Sequence, residues 1–282
     1  MNTWMFYAVF GMLQSGLLMA LYKVPAAKQI NKYSLLMWTY LFASLIAGYM
    51  LRNFIVFDAQ AVIFSFVWGT SLAVLSVSQM HVLHKHDTSG VFPFTSLASN
   101  VFVVIGGVLF LHNSISLLQW VAVILSVLLF IGAHRNSKKI FIVGILPSFI
   151  FIAVLSAFGK FIQNAGANHV ETNNFTFWNL VFAFISSLAM LFFVKKQVSF
   201  SSLIHKHLIG WAFLIGALQF GTNYAVVHAL SLGPISLVFI VVGLYTFFTT
   251  IFASLLFNEK ITAEKIIFIL LSFLIVLLIK LG

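Results

Sequence analysis

The chain has 282 residues, of which 62% are hydrophobic and 7% charged, with five acids set against fifteen Lys and Arg and a formal net charge of +10. A soluble domain carries about 25% charged residues, so no water-facing surface can be assembled from this set, and 33 Phe demand burial and exclude disorder. The absence of Cys excludes disulfides, thiolate metal sites and thiol nucleophiles, and cations scattered between apolar runs point to lipid headgroups and not to nucleic acid.

A helical span needs roughly 20 apolar residues to cover about 30 Å of hydrocarbon. In chain order ten runs meet that requirement: 3–22, 33–51, 61–83, 90–111, 116–134, 140–163, 173–194, 208–230, 234–257 and 263–280. They are apolar on every face instead of alternating with period two, which predicts helices and not barrel strands. The first run lacks a basic start and precedes nine more, so it reads as a span and not as a cleaved signal. Trp4, Trp38, Trp120, Trp178 and Trp211 fall near span ends, where amphipathic rings sit at headgroup level. Trp68 lies about two turns inside the third run, a position ordinary packing explains.

Loops alternate between the two sides of the membrane. Twelve of the fifteen Lys and Arg fall on the side opposite Met1, leaving Arg52, Lys160 and Lys280 on the other. Cytoplasmic loops carry the cationic excess, so both termini are expected outside a plasma or inner cell membrane.

The chain also repeats itself. Leu17–Lys23 resembles Val154–Lys160, Trp38–Ala43 resembles Trp178–Ala183, and the polar joint 110–119 resembles 256–265, all in the same order. This predicts two halves, about 1–136 and 137–282, of five spans each. Because five is odd, the halves enter the membrane in opposite directions, the inverted arrangement common in transporters with a substrate site near mid-membrane. The predicted fold is therefore an all-α integral membrane protein with ten transmembrane helices in two inverted five-helix repeats.

In both halves a long fourth helix, a short polar joint and a fifth apolar helix follow one another, and this pattern resembles the drug/metabolite transporter superfamily, EamA type, over essentially the whole chain. The joint stands where that family usually has Gly-Glu-Arg-Leu-Ser/Thr: Asn258-Glu259-Lys260-Ile261-Thr262 keeps acid, base and hydroxyl, whereas His112-Asn113-Ser114-Ile115-Ser116 keeps only the hydroxyl. The family commonly has prolines midway along the fourth and ninth helices; here Asn100 and Thr246 stand there, so a break at those points must come from polar side chains. The family usually places its termini in the cytoplasm, against the charge count above.

The resemblance implies a transporter and not an enzyme, with no cofactor, taking a small-molecule substrate among membrane lipids, as a monomer or homodimer. Polar groups in lipid are costly and face a cavity or another helix. Ser96, Ser99, Asn100 and Gly107 form one stripe of the fourth run, and Gly243, Tyr245, Thr246, Thr249 and Thr250 mark the ninth. Each set fits cavity lining or close packing by small residues. In the eighth run Ala217, Gly221, Ala225 and Ala229 form a small-residue packing ladder, with Gln219 and Asn223 on the other face, turned toward a cavity that Gln14 can join. His228 reads as a hydrated interfacial residue. Lys23 and Lys160, matched in the two halves, fit either anion contact and gating or snorkelling to headgroups.

Asp58, Asp87, Glu171, Glu259 and Glu264 all fall in loops or at span ends. A proton-coupled cation exporter needs a carboxylate inside the membrane, so the expected cargo is a neutral, zwitterionic or anionic metabolite, moved by exchange or facilitated passage. The alternative is a membrane-embedded lipid-modifying enzyme built on His84, His86 and Asp87. The His-Lys-His triplets at 84–86 and 205–207, with His81, offer imidazoles for a metal, but the intervening lysine disfavours a dication and headgroup contact is the expectation. No Gly-x-Ser-x-Gly, Walker or His-Glu-x-x-His motif is present.

Overall fold

The computed structural model describes residues 3–24, 28, 30–83, 99–100, 102–111, 115–134, 146–194, 206–257 and 263–281. Among them every extended element is a helix: α1 (Thr3–Leu21), α2 (Lys32–Met50), α3 (Ala59–Leu83), α4 (99–100 and 102–109), α5 (Leu117–His134), α6 (Leu146–His169), α7 (Thr172–Val194), α8 (Lys206–Leu232), α9 (Ile235–Gly243), α10 (Tyr245–Phe257) and α11 (Ala263–Leu281). Seven of the described segments are long and apolar enough to cross a membrane, α9 and α10 counting together as one of them.

Short polar residues set the helix starts. Asn31 Oδ1 accepts from the Tyr33 backbone N–H at 3.0 Å and starts α2. Asp58 accepts from the Gln60 and Ala61 N–H groups at the head of α3, and Glu171 from those of Asn173 and Asn174 at the head of α7. Ser116 and Gln119 form a reciprocal capping pair that starts α5. Asp58 and Glu171 are thus consumed at helix N-termini, where negative charge is favoured.

α6 runs to His169, six residues beyond the apolar run read from the sequence, because its last turns carry Gln163, Asn164, Gly166, Asn168 and His169. Polarity there ends the hydrophobic signal but not the helix. The ninth run is interrupted at Leu244, whose N–H reaches back to Val241 O, while the Phe247 N–H takes Leu244 O. No proline is involved. Around the break Thr246, Thr249 and Thr250 donate their hydroxyls to the carbonyls of Gly243, Tyr245 and Thr246, the back-bonding that bends helices.

The helices pack in a crossed pattern. α1 lies against α8, α9 and α10; α2 against α7 and α8; α3 against α6 and α7; and α5 against α11. Two glycines permit the closest of these crossings. A Cβ on Gly69 of α3 would strike the backbone of Asn179 and Ala183 and the Cβ of Phe182 on α7. One on Gly216 of α8 would meet Thr39 O at 2.6 Å, Phe42 Cβ at 3.0 Å and Ala43 N at 3.2 Å on α2. The core between these helices is continuous and aromatic-rich, with Tyr22, Tyr40 and Phe175 fully buried. Phe6, Tyr49, Phe57, Phe193 and Leu255 are exposed on the outside, the reverse of a water-soluble surface and the expected face toward lipid.

Candidate functional site

A cavity of about 140 Å³ lies inside the bundle, walled by α1, α3, α4, α6, α8, α9 and α10. Its polar lining comes from Ser15 and Tyr22 near α1, Ser76 and Gln79 on α3, Ser99 and Asn100 on α4, Ser156, Lys160 and Gln163 on α6, Gln219, Thr222 and Asn223 on α8, and Tyr245 on α10. No carboxylate of the described residues lines it. At this size it falls short of the roughly 300–1,000 Å³ of an open small-molecule pocket, so a metabolite of that class enters only if the helices part.

Three hydrogen-bonded groups organise the wall. In the first, the Tyr22 hydroxyl donates to Gln219 Oε1 at 3.1 Å and lies 3.1 Å from Ser76 Oγ, which is also 2.6 Å from the Tyr40 hydroxyl. In the second, Asn223 Nδ2 donates to Asn179 Oδ1 at 2.6 Å while Asn223 Oδ1 accepts from Gln163 Nε2 at 3.2 Å. In the third, Lys160 Nζ donates to Ser99 Oγ at 2.7 Å and to Asn100 Oδ1, with the Phe239 ring centroid 5.1 Å away. Gln219, Asn223, Asn100 and Ser76 are all buried, and paired burial of this kind is how polar groups persist in an apolar interior.

Of the cavity residues anticipated from sequence, Ser99, Asn100, Gln219, Asn223 and Tyr245 line this space together. Gln14 stands elsewhere: it packs on Gly221, whose added Cβ would come within 2.6 Å of Gln14 Oε1. The small-residue ladder on α8 therefore receives Gln14, and Gly11 of α1 seats against Ala225 of the same ladder and its neighbour Val226. Thr246 is buried off the wall, its hydroxyl turned back toward Gly243 O at 3.5 Å. Ser96 lies outside the described residues, as do His84, His86, Asp87 and His205. His81 sits 2.9 Å from Lys32 Nζ, and among the described residues no group of His, Asp or Glu has the geometry to hold a metal.

The matched lysines separate. Lys160 turns into the cavity, whereas Lys23 lies past the end of α1 with its ammonium 5.7 Å from the Phe257 ring. His228 is half-buried, its Nδ1 2.9 Å from Tyr224 O and its ring set at a tilt against those of Tyr224 and Tyr7.

Sequence reasoning passed over Tyr22, Ser76, Trp68, Gln163 and Asn179. Gln163 and Asn179 are amides within or beside apolar runs, a signal as strong as the one that singled out Gln219. Trp68, the one indole set inside a run, belongs to the wall and packs against Gly159.

Residues 139–281 match the model of the EamA-like transporter family. No curated protein matches the chain by sequence. Among solved structures, one described only as the crystal structure of a protein is 12% identical and superposes with a TM-score of 0.71 over 97% of this chain and 98% of its own. At that identity the likeness speaks to the fold alone.

Proposed function

Since the chain belongs to the EamA-like transporter family, we propose that it is a secondary transporter of two inverted five-helix halves that moves a small neutral, zwitterionic or anionic metabolite by alternating access. The observation that carries this reading is the internal cavity, walled by helices from both halves and, among the described residues, free of carboxylates. Gln219, Asn223, Ser99, Asn100 and Tyr245 supply substrate contacts, and Lys160 supplies the positive charge.

Corresponding contacts support the division into halves. The residues under Gly69 are Asn179, Phe182 and Ala183, and those under Gly216 are Thr39, Phe42 and Ala43. The Trp38–Ala43 and Trp178–Ala183 alignment pairs these two trios residue for residue. Seven residues after each glycine come Ser76 and Asn223, and each is bonded to partners from the two preceding helical segments of its own half. The helix contacts exchange in the same way, α1 with α8 answering α6 with α3. Two like bundles meeting across a cavity can rock against each other, and inverted repeats supply that geometry.

With no carboxylate on the wall to trade a proton for a cation, exchange or facilitated passage fits best, in a multi-pass protein of the cell membrane whose termini lie outside. Thermal-shift screening of the purified protein against amino acids, sugars, nucleosides and organic anions finds the ligand class, because a ligand of the folded state raises the melting midpoint. In proteoliposomes loaded with that ligand, Gln219→Leu with Asn223→Leu should abolish exchange. Uptake that survives both substitutions and collapses with the pH gradient contradicts the proposal.

A further inference from the structure

The cavity has an unbalanced inventory of hydrogen-bonding groups. Trp68 is 7% exposed, and its Nε1 proton meets no acceptor among the described residues. An indole N–H can only donate. Thr222 leaves its hydroxyl without a partner there, although a helical threonine ordinarily returns it to a carbonyl one turn back. Lys160 adds three N–H donors and no acceptor, of which Ser99 and Asn100 take two. On the acceptor side, Gln219 Oε1 already receives Tyr22 and Asn223 Oδ1 receives Gln163. The buried wall atoms left without a partner among the described residues are thus the Trp68 N–H and the Thr222 hydroxyl, and beside them stands one ammonium. Orphaned buried donors are rare in folded interiors.

The remaining surface is hydrophobic. Leu18, Met19, Ile152, Val226, Phe239 and Val242 enclose the same space, and Lys160 Nζ sits 5.1 Å from the Phe239 ring centroid, at the seam between the charged and apolar parts of the wall.

We propose that the ligand of this cavity is an organic monocarboxylate with an apolar body and no cationic group of its own. Its carboxylate is held by Lys160 Nζ with the unspent donors of Trp68 and Thr222, and its body lies against Phe239 and the aliphatic wall. This assignment rests on the transporter reading above and narrows its substrate class. A zwitterion brings an ammonium to a wall that holds a fixed cation and no carboxylate. A dianion brings a second negative charge that no cation on the wall answers, and unpaired buried charge is the costliest case. A neutral amide leaves the Lys160 charge uncompensated. A single carboxylate answers the Lys160 charge and accepts from the Trp68 N–H and the Thr222 hydroxyl.

The test measures binding of 4-methylpentanoate and 3-phenylpropanoate to the purified full chain by thermal shift and calorimetric titration. The comparison ligands are the matched amides, the matched amines, leucine and phenylalanine. Both carboxylates should bind and the rest should not. Lys160→Gln should weaken carboxylate binding by about ten- to a hundredfold, the range for losing a charge-assisted contact. Lys160→Arg should keep it within a few-fold, and Trp68→Phe, which retains the ring on Gly159, should weaken it by about threefold to tenfold for one neutral hydrogen bond. Should Lys160→Gln not fold, Trp68→Phe carries the test. Failure of either carboxylate to bind, equal binding of amines or amino acids, or carboxylate binding untouched by both Lys160→Gln and Trp68→Phe overturns the assignment. If another solute class is carried and Gln219→Leu with Asn223→Leu stops it, the transporter reading survives and the carboxylate site does not. Carboxylates bound through Lys160 with no flux of any solute would reverse that outcome.

Discussion

Ser76 on α3 and Asn223 on α8 stand at matching places and tie together matching helices, but with different chemistry. Ser76 is a small hydroxyl between two tyrosines, each of which has a second acceptor: Tyr22 reaches Gln219, and Tyr40 reaches Leu72 O at 3.4 Å. Asn223 is an amide between Asn179 and Gln163, and no second partner for either of those side chains is found among the described residues. One joint is redundant and the other is not. The lysines diverge likewise, Lys23 beyond the end of its helix and Lys160 well inside α6. In the proposed repeat the helix crossings match while the polar groups at them differ, and the proposed second half carries Lys160 and the amide network.

The largest expected effect breaks the Asn223 joint. Asn223→Leu should lower the stability of the purified protein, followed by thermal unfolding, by about 1–3 kcal/mol for each buried group it strands. Ser76→Ala should cost only about 1 kcal/mol, since both tyrosines keep a partner. Equal losses would show that the two joints are interchangeable. Next come the glycines: Gly69→Ala and Gly216→Ala should each destabilise by about 1–3 kcal/mol, the usual penalty for overpacking. Gly210, with nothing within 4 Å of an added Cβ, is the control, and Gly210→Ala should be neutral or slightly stabilising because alanine is the better helix former. The last comparison is between the lysines. Lys160→Gln should cut uptake in proteoliposomes by about tenfold or more, as for a lost charge-assisted contact. Lys23→Gln should leave uptake near the parent level, because its ammonium lies past the end of α1, beside the Phe257 ring, and does not line the cavity. Comparable losses at both positions would return Lys23 to the transport path.

Much of the helical layout was legible because lipid demands uninterrupted apolar length: α1, α2, α3, α5, α7, α8 and α11 start and end within about two residues of the hydrophobic runs. The miss at the end of α6 has a physical reason, since amides and a histidine there remain helical once they have partners or reach the interface. Half of the polar wall was legible too. Asn100, Gln219, Asn223 and Tyr245 betrayed themselves as polar residues in apolar runs. Sequence could not separate Thr246 from Tyr245, because a threonine can satisfy itself on its own helix and a tyrosine cannot. Nor could it distinguish Lys23 from Lys160, whose local sequences are alike and whose fates depend on how far the helix continues past them. Trp68 looked like packing because its ring does pack on Gly159; the same side chain also lines the cavity and keeps an N–H with no acceptor among the described residues.

The central claim is that two like bundles enter the membrane in opposite directions, and the chain's lack of cysteine makes it directly testable by single-cysteine labelling. Asn53, after α2, and His207, at the head of α8, are both exposed, and the proposed repeat sets them in corresponding connections of its two halves. A membrane-impermeant maleimide applied to intact cells should label Asn53→Cys and should reach His207→Cys only after permeabilisation. Labelling of both from the same face would contradict the inverted arrangement and the transport mechanism built on it.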